Sequence, residues 1–320
     1  MKQLSFTTAE HDLKKKQTRR EKFLSEMDLV TPWKRLVQLI EPFYPKAGRP
    51  GRPPIGLEKM LRIYFLQQWY SLSDPAAEEA LYDMESMRQF VWIVLHEEPI
   101  PDETTILKFR RLLEEHHLTE ALFAEVRCFL DEKGLFLKQG TIVDATMIAA
   151  PPSTKNKKRK RDAEMSQTRK ANQWYFGMKS HIGVDADSGL IHSIEATTAK
   201  THDSKVIDQL LHGDEKDVHG DKAYASNERH LLNSTPGKRI WCMPFKKQRG
   251  QDLPEWQREI NRGLSSLRAK VEHPFRVIKC QFGYRKVRYK GLEKNARQQQ
   301  TLFALANLYL ARRQLLAMAG

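Results

Sequence analysis

The texture of the chain changes once, at Gly134, and that change bounds what it can fold into. Before it the apolar residues recur at helical spacing: WKRLVQLIEPFY (33–44), LEKMLRIYFLQQWYSL (57–72), AAEEALYDMESMRQFVWIVL (76–95) and TTILKFRRLLEEHH (104–117) all repeat near 3.6 residues. TEALFAEVRCFLDEKG (119–134) adds a helix stopped by Gly134, and Asp74 and Asp102 read as N-caps. After it GLFLKQGTIVDATMIAA (134–150) is β-branched and apolar, as a buried strand is. Two alternating runs within 173–199 flank Asp187-Ser188-Gly189, a hairpin signal. A helix at about 203–212, short strands within 216–224 and 240–245, a helical stretch from about 255 to 282 and an amphipathic tail helix at 291–318 complete the order. Paired strands followed by helix and strand in alternation make an α/β layer architecture. The expected organisation is a flexible basic N-terminus (1–20), a helical domain of five or six helices (21–134), and an α/β domain (135–320).

The net charge is +14, the isoelectric point about 9.6, and a polyanion, nucleic acid first, is the expected partner. The surplus is local. Between Lys246 and Arg297 there are 15 Lys/Arg against 5 Asp/Glu. A second block, KNKKRKR, supplies Lys155, Lys157, Lys158, Arg159, Lys160 and Arg161 on a loop between two strands, where phosphate contact without sequence reading is expected. In Gly48–Pro54, prolines hold Arg49 and Arg52 extended, either as a minor-groove insertion or as a plain interhelix linker. The helices of 76–117 suit a helix-turn-helix that reads DNA through Lys108, Arg110 and Arg111. Cys128, Cys242 and Cys280 match no metal-ligand spacing and fit free thiols in a reducing compartment. The first 20 residues lack the apolar core of a signal peptide, and LFALANLYLA (302–311) is too short to span a bilayer. A cytoplasmic, nucleoid-associated location is expected.

Within the basic region, RAKVEHPFRVIK (268–279) sets one carboxylate, Glu272, among cations. Ser265, Arg268, Glu272, Arg276 and Lys279 fall on one helical stripe, with Pro274 predicting an irregular turn beside them. Two further acids stand out. Asp144 lies inside a buried strand, where an unpaired charge is costly, and Asp221 follows a short strand at the place where α/β folds put reactive groups. Each also has an ordinary reading as a turn, cap or ion-pair acid. Together they suit a hard-cation site of two Mg²⁺ ions, with the neighbouring Arg and Lys on backbone phosphates.

The stretches GTIVDATMI, STKNKKRKRD, NQWYFGMKSHIGVDADSGLIHS, HGDKAY, RAKVEHPFRVIKCQFG and VRYKGLEKN, with EPFYPKAGRPGRPP and IPDETTILKFR before them, resemble the insertion sequence five family of DDE transposases over nearly the whole length. The resemblance implies an RNase H-like catalytic domain, a mixed sheet with flanking helices, behind an all-helical N-terminal domain. It implies Asp144, Asp221 and Glu272 as catalytic, metal-holding acids, with two Mg²⁺ ions (or Mn²⁺ in their place). Arg268, Glu272 and Lys279 also fit the Tyr-x2-Arg-x3-Glu-x6-Lys signature of related families, with Ser265 where the Tyr stands. Only 51 positions separate Asp221 from Glu272, little room for the large β insertion of some relatives. The implied activity is binding of terminal inverted repeats, cleavage at the element ends and joining of the 3′-OH ends to target DNA, by a homodimer on DNA, with no membrane partner. Two rivals stand beside it: an inactive DNA-binding regulator derived from a transposase, and an RNase H-like nuclease without strand transfer. Of lesser signals, Asp203 reads as an N-cap or a support for the metal site, and Trp174, Tyr175, Phe176, Trp241 and Trp256 read as packing or base-stacking residues.

Overall fold

The computed structural model describes residues 16–46, 48, 53–157, 159–170, 172–226, 229, 239–247 and 250–319. Among these, helices come first: α1 (Arg19–Val30), α2 (Trp33–Ile40), α3 (Leu57–Tyr70), α4 (Asp74–Asp83), α5 (Glu85–Val91), α6 (Glu103–Glu115) and α7 (Leu118–Glu132). The single helix expected over 76–95 is thus two, parted at Met84. α1 starts inside the segment expected to be flexible, because Thr18 and Glu21 form a reciprocal capping box. Glu21 N donates to Thr18 Oγ1 at 3.2 Å and Thr18 N to Glu21 Oε2 at 2.8 Å. Asp102 caps α6 as expected, accepting Thr105 N at 2.7 Å. Asp74 does not cap α4; Ser73 does, accepting Ala76 N at 3.2 Å, which releases Asp74 to pair with Arg110 at 2.9 Å.

α3 is buried along its length, and it carries a buried cation, Arg62, whose guanidinium lies 4.0 Å from the Trp33 ring and 3.7 Å from the Trp92 ring. Asp28 at 2.8 Å, Glu58 at 2.9 Å and Phe90 O at 3.0 Å take up its donors, which is the condition for burying a charge without a large penalty.

The sheet comprises β1 (Gly140–Ala149), β2 (Ser166–Lys170), β3 (Gln173–Asp185), β4 (Ile191–Thr198), β5 (Asp217–His219) and β6 (Ile240–Cys242). β3 pairs antiparallel with β1, β2 and β4, while β5 runs parallel to β1 and β6 parallel to β5. Gly177 is registered against Ala149 on one side and Ser166 on the other, so β2 and β4 lie end to end on the same edge of β3. A Cβ at Gly177 would sit 2.1 Å from Ile148 O, so only glycine fits where the strands press together. The expected hairpin turn joins β3 to β4 and is locked by Asp185, whose carboxylate accepts from Lys138 N (2.8 Å), Ser188 N (2.7 Å) and Ser188 Oγ (2.8 Å) among others. Where a helix is predicted over 203–212, two 3₁₀ turns occur, Asp203–Lys205 and Ile207–Leu210.

After the sheet comes α8 (Glu255–Arg268), a 3₁₀ turn (Ala269–Val271), α9 (Glu272–Arg276), a π turn (Val277–Gln281) and the long α10 (Leu292–Ala319). Pro274, with no amide to donate, sits between the two irregular turns. α10 packs on α1, α3, α7 and β4 and joins the helices to the sheet in one continuous core. Asn307, fully buried, exchanges two hydrogen bonds with the Ile191 backbone (2.8 and 2.7 Å) and satisfies the outer edge of β4. A smaller core of Val143, Ile207, Leu210, Val218, Tyr224 and Met243 covers the opposite face of the sheet. Among the described residues no helix is long and apolar enough to cross a membrane. A helical region leading into this order of antiparallel and parallel strands is an RNase H-like arrangement.

Candidate active site

Alternation along β1 decides where Asp144 points. Ile142 and Ile148 enter the main core and Val143 the smaller one, so Asp144 and Thr146 share the face of Ile142. The α8–α9 stretch is fastened to that face. Lys279 Nζ donates to Thr146 Oγ1 at 2.6 Å and to Met147 O at 2.9 Å, and Lys270 Nζ donates to Ala186 O at 2.7 Å in the hairpin turn. Asp221 opens the turn after β5, which closes with Tyr224 N donating to Asp221 O at 2.9 Å. Because β5 is parallel to β1 and adjacent to it, Asp221 comes to Asp144 across neighbouring strands.

The charges of Glu272 and Asp221 both reach Asp144. Asp144 is pushed up to about 6, first by burial and then by the negative charges of Glu272 and Asp221, against the pull of Ala145 N–H and of the Arg268 guanidinium. Asp144 is half-buried, Asp221 likewise, and Glu272 is exposed. Their carboxylates do not close into a ligand cage: Asp144 Oδ1 accepts Ala145 N at 2.8 Å, and Asp221 accepts Lys222 N. Among the described residues no three His, Cys, Asp or Glu side chains are gathered tightly enough to hold a metal ion. The donor chemistry nonetheless fits a hard cation, since carboxylate oxygens are the ligands such an ion takes and the charges of Glu272 and Asp221 both act on Asp144.

Arg268, the last residue of α8, makes no ion pair with Glu272, the bland pairing that i,i+4 spacing suggests, and its Nε is buried without a partner. Arg276 is exposed one turn beyond Glu272. Lys279 spends at least two of its donors inside the protein, so its first role is to position the helix. Lys155, Lys157, Arg159, Lys160 and Arg161 are exposed on the β1–β2 loop, away from the acids along β1. Lys158, Arg49 and Arg52 lie outside the described residues, and with them the minor-groove reading of Gly48–Pro54.

Two further expectations change. Arg110 is buried against Asp74 (2.9 Å), Glu114 (2.8 Å) and the Tyr289 ring (4.4 Å), and residues 92–102 are too long for a helix-turn-helix turn, so α6 is not a reading helix through Arg110. Asp203 is not the cap; it takes Lys179 at 2.8 Å, and His202 is the cap. Trp174 and Trp256 stand exposed, whereas Trp241 lies half-buried between Arg229 and Arg239. Sequence reasoning missed Lys270, a fastening cation with no motif to mark it. It also missed Tyr224, a buried tyrosine whose hydroxyl is raised first by burial and then by Asp203, Asp144 and Asp221.

A helical region followed by an RNase H-like mixed sheet defines the architectural class. Comparison with known families narrows this: the transposase DDE domain matches residues 135–308, and a transposase domain (DUF772) matches residues 11–112. The chain belongs to the transposase DDE domain family. It is a transposase, an enzyme acting on DNA. No solved structure matches it closely enough to add to this.

Proposed function

We propose that the chain is the transposase of an insertion element of the insertion sequence five family, that it binds the element's terminal inverted repeats, cleaves at the ends and joins the 3′-OH ends to target DNA. The observation that supports this is the placement of Asp144 on β1, Asp221 in the turn after the adjacent β5, and Glu272 on the stretch that Lys270 and Lys279 tie to the sheet, with Glu272 and Asp221 both acting on Asp144. These three side chains would hold two Mg²⁺ ions, or Mn²⁺ in their place. Such ions, when bound, lower the pKa of an attacking water and stabilise the leaving oxygen. In the first step water attacks the scissile phosphorus and the bond to the 3′ oxygen breaks, leaving a 3′-OH and a 5′-phosphate. In the second the 3′-OH attacks a target phosphodiester, whose own 3′ oxygen leaves. Arg268, beside Asp144, would orient a non-bridging phosphate oxygen, with Arg276 further along the strand. Residues 21–134 would serve as the DNA-binding domain and 135–320 as the catalytic one, with the β1–β2 loop cations on the backbone. Two ends processed together call for a homodimer on DNA.

The test is incubation of the protein with Mg²⁺, duplexes carrying the element's own ends and a target plasmid. Cleaved ends and joined products are expected. Cleavage without joining would mark a nuclease, and binding with neither would mark an inactive regulator.

A further inference from the structure

A cleft of about 430 Å³ opens where the β1–β2 loop meets the segment that precedes α10, outside the three acids. Lys157 and Lys160 stand on one wall and Lys290 on the other. Both walls are built. Asn156 Nδ2 donates to Lys160 O at 2.7 Å, its Oδ1 accepts Lys160 N at 3.3 Å, and Arg161 Nε donates to Pro152 O at 2.8 Å, which closes the loop on itself. Asp162 and Glu164 then pin it to the start of α10 by accepting Gly291 N and Leu292 N, each at 2.7 Å. The opposite wall is tied down by Arg288, whose guanidinium donates to Leu72 O and, at 2.7 Å, to Ser71 Oγ, and by the Tyr289 ring under Arg110.

The ammonium groups of Lys157, Lys160 and Lys290 are exposed and pair with no carboxylate among the described residues. Asp162, the acid at the rim, is already engaged by Gly291 N. Like charges held together on fixed walls repel, and an anion placed among them relieves that repulsion. We infer that this cleft is a phosphodiester-binding site for a DNA strand leaving the three acids. This rests on the reading of the chain as a DNA-cleaving transposase. β1 sets the distance. From Asp144 to its end at Ala149 a strand rises about 17 Å, at 3.3–3.4 Å per residue. With the duplex axis taken along β1, phosphates on one strand recur about every 3.4 Å along that axis, so the cleft meets the backbone about five nucleotides from the scissile bond.

The experiment uses the full chain, the variant with Lys157→Gln, Lys160→Gln and Lys290→Gln together, and a duplex carrying the element end. Because these lysines are exposed, the melting temperature should not change. The slope of log K against log[salt] should become shallower by about 2 to 3, roughly 0.9 for each phosphate that is no longer neutralised. Neutral methylphosphonates placed four to six nucleotides from the cleavage point should weaken the wild type and leave the triple variant little changed. Lys290→Gln alone should reproduce about one third of the slope change. An unchanged slope overturns the site, as does a methylphosphonate penalty that the triple variant suffers in full. Cleavage by the wild type and its loss in Asp144→Asn are measured in parallel. If those fail while the slope effect holds, the catalytic reading is at fault and the anion site stands.

Discussion

Lys279 Nζ donates to Thr146 Oγ1 at 2.6 Å, joining the stretch that carries Glu272 to the strand that carries Asp144 across 133 positions of sequence. Met147 O accepts from the same ammonium at 2.9 Å. A cation that belongs by spacing to the polar stripe of Glu272 thus holds the protein together first. Lys279→Met keeps the alkyl stem and removes the donors. It should cost about 1–3 kcal/mol of stability, the range for a partly buried hydrogen bond to a charged group. Urea unfolding measures this, and cleavage of bound ends should slow as Glu272 loses its placement. Unaltered stability with weakened DNA binding would instead make Lys279 a phosphate contact.

Asp144→Asn, Asp221→Asn and Glu272→Gln should each abolish end cleavage and leave end binding within a few fold. Gel-shift and single-turnover assays on one duplex separate the two effects. A variant that cleaves at the wild-type rate in Mg²⁺ removes that acid from the site.

Arg268 is free of Glu272, so its loss should be felt at the phosphate. Arg268→Ala should reduce single-turnover cleavage by about 100-fold, the scale of a 1 Å misplacement. Arg268→Lys should not restore it if the contact is a bidentate fork. A rate within twofold of wild type for the alanine variant would sink this role.

Acid should unfold the protein in two windows. His192 is pushed down to about 4, first by burial and then by His212, while its ring nitrogens meet the Thr141 and Ser193 hydroxyls at 3.1 and 2.9 Å. Its unfolded value is near 6.5, so its contribution is complete above that pH and is lost as pH falls towards 4. His192→Gln should flatten this loss by about 1–3 kcal/mol in urea titrations between pH 6.5 and 4. Asp185 acts lower. Burial alone would raise it, but the donors from Ser188, Lys138 and Asp187 outweigh that and hold it below the usual carboxylate range. Its contribution is therefore complete above about pH 4 and lost as pH falls through the depressed value, and Asp185→Asn should cost about 1–3 kcal/mol at pH 7.

Local rules determined a good deal of this protein from sequence alone. The 3.6 periodicity before Gly134, the β-branched run after it and Asp187-Ser188-Gly189 each depend on neighbours a few residues apart, and each appears in the structure. The boundary at Arg19 was legible too, in Thr18-x-x-Glu21, but the basic composition around it masked the signal. Composition could not tell which cations face DNA and which are consumed by the fold. Arg110 went to Asp74 and Glu114, Lys279 to Thr146, and Lys270 to Ala186, because ion pairing and hydrogen bonding act through space. Asp144 was conspicuous as a charge in a buried strand. Its raised proton affinity beside Asp221 and Glu272 exists only once β5 has paired with β1 and the Lys270 and Lys279 ties have set the helix against them. Coulomb energy falls with distance, not with sequence separation, and only tertiary structure supplies the distance.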